Sequence, residues 1–266
     1  MGFLAIVGMV VCLGAVVLGM LLLDGYLPDI LDPASVALVI LPTIGALMTT
    51  APIGLIAKIP AHFKIVLKKE EGPEVQIEKI VDLANKVRAG GILALEEEQI
   101  PEATMAYGVR MIVDGIQEEE IKNALEESLE SISQRHNEAI MMYEKAANYA
   151  PAFGMCATVV ALVVMLMGLD FDDPEAIGRL GGAMAAALIT SLYGAMAANI
   201  IFIPMAARLK LLHKREIFNK SLICTGLMAI QHGNSPTFIH ELLCEQLNAE
   251  KRKLVGSAKG KGGGGD

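Results

Sequence analysis

Four long stretches of this chain carry no charge. Met1–Leu23, Pro33–Ala57, Ala146–Leu169 and Leu180–Ala207 contain no Asp, Glu, Lys or Arg. Buried soluble helices seldom run that far uncharged, and each block meets the roughly 20 residues a helix needs to cross the hydrocarbon. A wholly soluble protein is therefore excluded, and the mean hydropathy of +0.49 agrees. A basic excess is also missing. The net charge is −8, which leaves no electrostatic footprint for nucleic acid. Cysteine is scarce: Cys12, Cys156, Cys224 and Cys244 include no CxxC pair, and the five His never fall at metal-ligand spacing. Walker A, GxGxxG, GxSxG and HExxH motifs are absent, and Gly90-Gly91 lacks a following Lys and a strand context. No cofactor, no metal site and no enzymatic activity are expected.

What is present organises around the uncharged blocks. The first has no basic leader and no small-residue cleavage site, so it reads as a retained span rather than a signal peptide. The two loops Asp24–Asp32 and Asp170–Arg179 are acidic, whereas Lys58, Lys64, Lys68 and Lys69 follow the second block and Arg208, Lys210, Lys214 and Arg215 follow the fourth. The positive-inside rule then puts both termini and the large central loop in the cytoplasm. The expected architecture is an all-α integral membrane protein. One hairpin fills residues 1–57, with spans about 3–23 and 34–57. A cytoplasmic helical domain covers 58–145. A second hairpin covers 146–207, with spans about 147–169 and 180–206. Cytoplasmic helices occupy 208–254 and a flexible Gly-rich tail 255–266. The central loop holds 11 Lys or Arg against 18 Asp or Glu, which suits a protein partner of complementary charge. Within it the apolar spacing breaks at Gly90-Gly91. A long helix starts near Gln117 and runs without Gly or Pro until Pro151, straight into the third span.

The membrane blocks supply hydroxyls instead of charges. Thr158 is the hydroxyl of the third span. The fourth carries Thr190 and Ser191, with Gly182, Ala186, Thr190, Gly194 and Ala198 recurring every four residues, a stripe that admits close helix approach. Ion transport usually needs an ionisable group in the membrane, and the spans offer none. With a carboxylate brought by a partner helix, Thr158, Thr190 and Ser191 can line an ion route; alternatively, they bond back to their own helix carbonyls. Pro151 and Pro204 sit at the cytoplasmic ends of spans three and four, as helix kinks or as paired hinges. Arg88 and the Glu96–Glu98 cluster flank the double glycine, as a solvated surface or as a docking edge for a charged partner.

Three segments then resemble the MotA/PomA family of flagellar stator subunits. These are VRAGGILALE (Val87–Glu96), APAFGMCATVVALVVML beginning at Ala150, and AMAAALITSLYGAMAANIIFIPMAARL (Ala183–Leu209). The resemblance covers nearly the whole chain. It implies a pentameric ring of these subunits around a MotB/PomB-type partner with a single span and a membrane Asp. It implies proton or sodium flow that turns the ring in the bacterial inner membrane, and torque passed to the rotor protein FliG. By motif position it assigns rotor contact to Arg88 and Glu96 and hinges to Pro151 and Pro204. The family often has Gly-Thr where this chain has Ala157-Thr158, which alters packing at the third-span hydroxyl. The nearest rival is an ExbB/TolQ-type energiser of outer-membrane processes, whose members resemble three-span proteins. A self-sufficient channel lacks its intramembrane charge here, and a passive scaffold sits poorly with the polar fourth span.

Overall fold

The structure, a computed structural model, describes residues 2–25, 27–67, 71–169, 176–247 and 252; for the helical residues 2–6, 27, 29, 176, 177 and 179 it describes the backbone only. The acidic turn at 170–175 and the Gly-rich tail at 255–266 lie outside the described residues. Every regular element among those described is helical. Three helical runs are long and apolar enough to cross a membrane: Pro33–Thr50, Glu118–Met167 and Leu180–Gln231. The first helix is apolar along Val7–Leu22.

The chain divides into two compact units, one formed by 1–69 and 136–212, the other by 70–135 and 213–266. In the first, α1 (Gly2–Leu22) and the short α2 (Leu27–Ile30) lead to α3 (Pro33–Thr50). Asp32 caps α3 by accepting from the N–H groups of Ala34 and Ser35, each at 3.1 Å, and Pro33 occupies the first turn, where a missing N–H costs nothing. The apolar run expected to reach Ala57 does not stay helical. Pro52 disfavours helical backbone at Ala51, which is extended, so α3 stops at Thr50 and a short α4 (Ile53–Ile56) follows. Helix α5 (Ile59–Leu67) turns one apolar face inward. There Val66 joins Leu47, Ile140, Tyr143, Met205, Leu209 and Leu212 in a buried core, with Phe63 packed against it. An ion pair between Lys210 and Glu144 lies beside this core.

In the second unit, α6 (Pro73–Gly90), a 3-10 turn at Ile92–Leu95, α7 (Ala103–Val113) and α11 (Pro236–Glu245) pack with parts of two long helices. Those helices are α8 (Glu118–Met167) and α10 (Ile203–Gln231). Ile77, Ile80, Met105, Ile121, Leu125, Leu222, Leu227 and Leu243 form one core. Burying such side chains contributes about 1.5–3 kcal/mol each. Glu102 caps α7 through Met105 N–H at 2.6 Å and also takes Lys220 Nζ at 2.8 Å. That ties the start of α7 to α10 where both side chains are largely buried.

Helix α8 is continuous for 50 residues, and Pro151 does not end it. The fourth apolar block forms α9 (Ala176–Met196), then a π-helical segment Ala197–Phe202, then α10 without a break. In the π segment the Ile203 N–H bonds to the Ala198 carbonyl, five residues back. The widened turn lies directly ahead of Pro204, whose ring would otherwise press on the carbonyl four residues back.

Candidate functional site

Helices α8 and α9 meet where neither has a side chain. A Cβ on Gly194 would lie 2.6 Å from the Ala150 carbonyl oxygen, 3.1 Å from Gly154 Cα and 3.2 Å from Pro151 Cα. A Cβ on Gly154 would lie 3.1 Å from the Thr190 carbonyl oxygen and 3.2 Å from Gly194 Cα. All these neighbours are backbone atoms, which cannot rotate aside. The small-residue stripe of α9 is therefore used by α8 itself. It is used over part of its length only, because Gly182 has nothing within 4 Å.

One turn from this crossing, three hydroxyls converge. Thr158 stands four residues after Gly154, while Thr190 and Ser191 stand four and three before Gly194, so helical spacing turns all three toward the crossing. Thr158 Oγ1 lies 2.7 Å from Ser191 Oγ and 2.9 Å from Thr190 Oγ1. It also lies 3.0 Å from the Gly154 carbonyl oxygen and 2.9 Å from that of Ala187. Thr190 Oγ1 is 2.7 Å from the same Ala187 carbonyl. Thr190 is buried and Thr158 and Ser191 are half-buried. Thr158 bonds back to its own helix at the Gly154 carbonyl, as one of the two readings of the sequence expects, and it also reaches the Ala187 carbonyl of the neighbouring helix. Three hydroxyls hold three protons between them, but with two carbonyls they hold more lone pairs than protons. The cluster is neutral and rich in acceptors. It can share a cation's hydration shell or pass a proton along hydroxyls. Ala157, the departure from the family's Gly-Thr pair, is buried beside it.

Residues of the helical turns beside the two prolines line one cavity. Pro151 has no N–H, so the carbonyl of Ala147 loses its helical partner, and Ala147 lines a cavity of about 440 Å³ with Asn148, Glu144, Lys210, Ile203 and Ala207. Ile203 is the neighbour of Pro204. Thr158, Thr190 and Ser191 come together. Pro151 borders their crossing, and Pro204 sits beside the π segment.

Arg88 and Glu96 lie in the other unit. Arg88 occupies the last turn of α6, a favourable place for a cation. Gly91 ends that helix with φ +77°, a conformation that favours glycine, and the 3-10 turn leads to Glu96. Both side chains are exposed. Neither has an ion-pair partner among the described residues, whereas Lys86 nearby is held by Glu98 at 2.8 Å and Asp82 at 2.9 Å.

Sequence reasoning missed a buried polar pair. His62 of α5 is 7% exposed, and its Nδ1 lies 3.3 Å from the Tyr143 hydroxyl. Burial, and then the positive charge of Lys58, lower the His62 pKa below its ordinary value. Burial pushes the Tyr143 hydroxyl up to about 12. The signal available was weak, a lone His in a short amphipathic stretch. Among the described residues no group of three or more His, Cys, Asp or Glu side chains converges as a metal site.

Residues 96–222 match the MotA/TolQ/ExbB proton channel family. Chemotaxis protein PomA of Vibrio alginolyticus is 40% identical over 191 residues, 72% of this chain and 74% of that protein. Motility protein A of Borreliella burgdorferi is 32% identical over 263 residues, 98% of this chain and 99% of that protein. Among solved structures, the flagellar MotAB stator complex from Bacillus subtilis superposes with a TM-score of 0.82 at 28% identity. That match covers 93% of this chain and 96% of the matched chain.

Proposed function

Because the chain belongs to the MotA/TolQ/ExbB proton channel family, we propose that its hydroxyl cluster forms one wall of an ion route completed by a second protein. The chain is a flagellar motor stator subunit of the MotA/PomA group, a reading favoured over an ExbB-type energiser by near full-length relatives named for motility. The partner is a MotB-type protein, since the similar solved chain comes from a MotAB complex. It brings the membrane Asp that this chain lacks. Four spans cross the inner membrane, α1 joining the three long apolar runs, and both termini face the cytoplasm. The subunits assemble as a pentameric ring, and the transported ion is a proton or sodium.

In this reading the ion enters a site with three hydroxyl oxygens and two carbonyls, none charged. The paired prolines, each at the cytoplasmic end of its span, are the hinges. Exposed and without an ion-pair partner among the described residues, Arg88 and Glu96 form the edge that engages the rotor protein FliG. The observation that carries the proposal is the convergence of Thr158, Thr190 and Ser191 at a glycine–glycine crossing.

The test is Thr158→Val, which keeps shape and removes the hydroxyl. Losing hydrogen bonds inside a membrane protein costs about 0.6 kcal/mol each on average, too little to prevent assembly. The expected result is a complex that still forms with its partner and no longer supports swimming. Undiminished swimming would reject the cluster as the route.

A further inference from the structure

The first unit contains a second cavity, of about 550 Å³, whose wall is apolar. Met9 and Leu13 of α1, Ile40 of α3, Phe63 of α5, and Ala197 and Ile201 of the π segment line it. The single hydroxyl in the wall belongs to Tyr193 and donates to the Ile30 carbonyl. A polar ligand would find no hydrogen-bond partner there, and water would forfeit its own. The volume falls within the range of about 300–1,000 Å³ typical of ligand pockets.

Three cations stand close in sequence to residues that line this cavity. Phe63 is followed by Lys64 and preceded in the same short stretch by Lys58. Both lysines are exposed, and neither has an ion-pair partner among the described residues. Arg208 stands seven residues beyond Ile201, about two helical turns toward the cytoplasm on the same helical run. Its side chain is only 9% exposed, yet its Nε is buried without a hydrogen-bond partner among the described residues. A buried guanidinium N–H without an acceptor is costly, and a phosphate oxygen is its natural complement.

We propose that the cavity holds an acyl chain of an anionic glycerophospholipid from the cytoplasmic leaflet, with its phosphate met by Arg208, Lys58 and Lys64. Anionic lipids are concentrated in that leaflet, where basic juxtamembrane residues recruit them. The chain of such a lipid offers the wall nothing polar to leave unsatisfied. Its headgroup supplies the acceptor that Arg208 lacks. The lipid would fill the space between α1, α3 and the π segment and so hold the first hairpin against the second. The inference rests on the membrane reading of this unit, and it is independent of which ion drives the motor.

The experiment is native mass spectrometry of the stator complex, purified with its partner in mild detergent and washed to strip bulk lipid. The wild-type complex is expected to keep phosphatidylglycerol or cardiolipin in preference to phosphatidylethanolamine. Leu13→Trp, which fills the cavity, should reduce retention by about ten-fold, a loss of about 1.4 kcal/mol. Val10→Trp lines the same cavity and serves where Leu13→Trp does not assemble. Arg208→Gln should erase the anionic preference while total retained lipid persists. Unchanged retention in assembled Leu13→Trp or Val10→Trp complex would overturn the proposal. So would a wild-type complex without anionic preference, or a cross-link from position 13 to a neighbouring subunit, which would make protein the occupant. A membrane-inserted, motile complex without the lipid would sink this inference alone. Failure to insert would sink the proposed function first.

Discussion

Replacing Gly194 with alanine adds one methyl where the backbones of α8 and α9 touch. The new carbon would sit 2.6 Å from the Ala150 carbonyl oxygen, while ordinary contact begins near 3.4 Å, so α8 and α9 must part by about 0.8 Å. Gly154 Cα and Pro151 Cα, at 3.1 and 3.2 Å, block the escape to either side. Overpacking of this kind costs about 1–3 kcal/mol, which a membrane bundle survives. The hydroxyl cluster does not survive it intact. Contacts of 2.7–2.9 Å between Thr158 and its neighbours on α9 would open toward 3.5 Å, where a hydrogen bond is no longer made. Gly194→Ala is therefore expected to assemble with its partner and to lose most swimming in soft agar. Gly154→Ala, whose contacts are looser at 3.1 and 3.2 Å, should be impaired less. Gly45→Ala on α3, with nothing within 4 Å, should swim normally. Wild-type swimming by Gly194→Ala, or an order of effects unrelated to these distances, would refute the reasoning.

Three further outcomes are expected. Pro151→Leu restores an N–H for the Ala147 carbonyl and stiffens α8; insertion should be unchanged by protease protection and motility abolished, and normal swimming would remove the hinge. Arg88→Glu reverses an exposed charge with no ion-pair partner among the described residues; torque on a tethered cell should fall, and a charge reversal on the rotor protein should restore part of it. His62 has a pKa lowered by burial. Its stabilising contribution is complete above the ordinary histidine value of 6.5 and is lost as pH falls through the depressed value. The melting temperature of the purified complex should fall as pH drops below the ordinary histidine value of 6.5, and His62→Gln should flatten that slope.

The legible parts of this molecule were those with long-range periodicity or composition. Uncharged blocks announced helices long enough to cross a membrane, and the absence of Gly or Pro between Gln117 and Pro151 announced the unbroken α8. The four-residue stripe announced that α9 would be approached closely. It could not say that the approaching helix is α8, because that depends on Gly154 meeting Gly194, two glycines forty residues apart. Proline was the least legible residue. Pro52 ends a helix at Ala51, Pro151 leaves one unbroken, and Pro204 is absorbed by a π turn. The same ring has three outcomes because each depends on whether the surrounding helix packing holds the backbone together. The His62–Tyr143 pair was invisible for a related reason: nothing in the pattern joins residues that far apart in sequence, and only the packing of α5 against α8 brings them together.

The neutrality of the hydroxyl wall carries its own mechanical consequence. Had this chain supplied a lysine or arginine at the site, a partner carboxylate would pair with it in low dielectric, and separating such a buried pair costs about 3–5 kcal/mol. A ring built from that subunit would be pinned to its partner at one angle. Hydroxyls and carbonyls offer the ion enough oxygens to leave water, but each contact is worth about 1 kcal/mol or less. A carboxylate neutralised by its ion can therefore leave one subunit's wall and meet the next with little to break. On the proposed reading, the missing intramembrane charge is what lets this subunit bind transiently and step, and introducing one beside the cluster by Ala187→Lys should lock the complex without preventing its assembly. Swimming by that variant would show that the wall's neutrality is incidental.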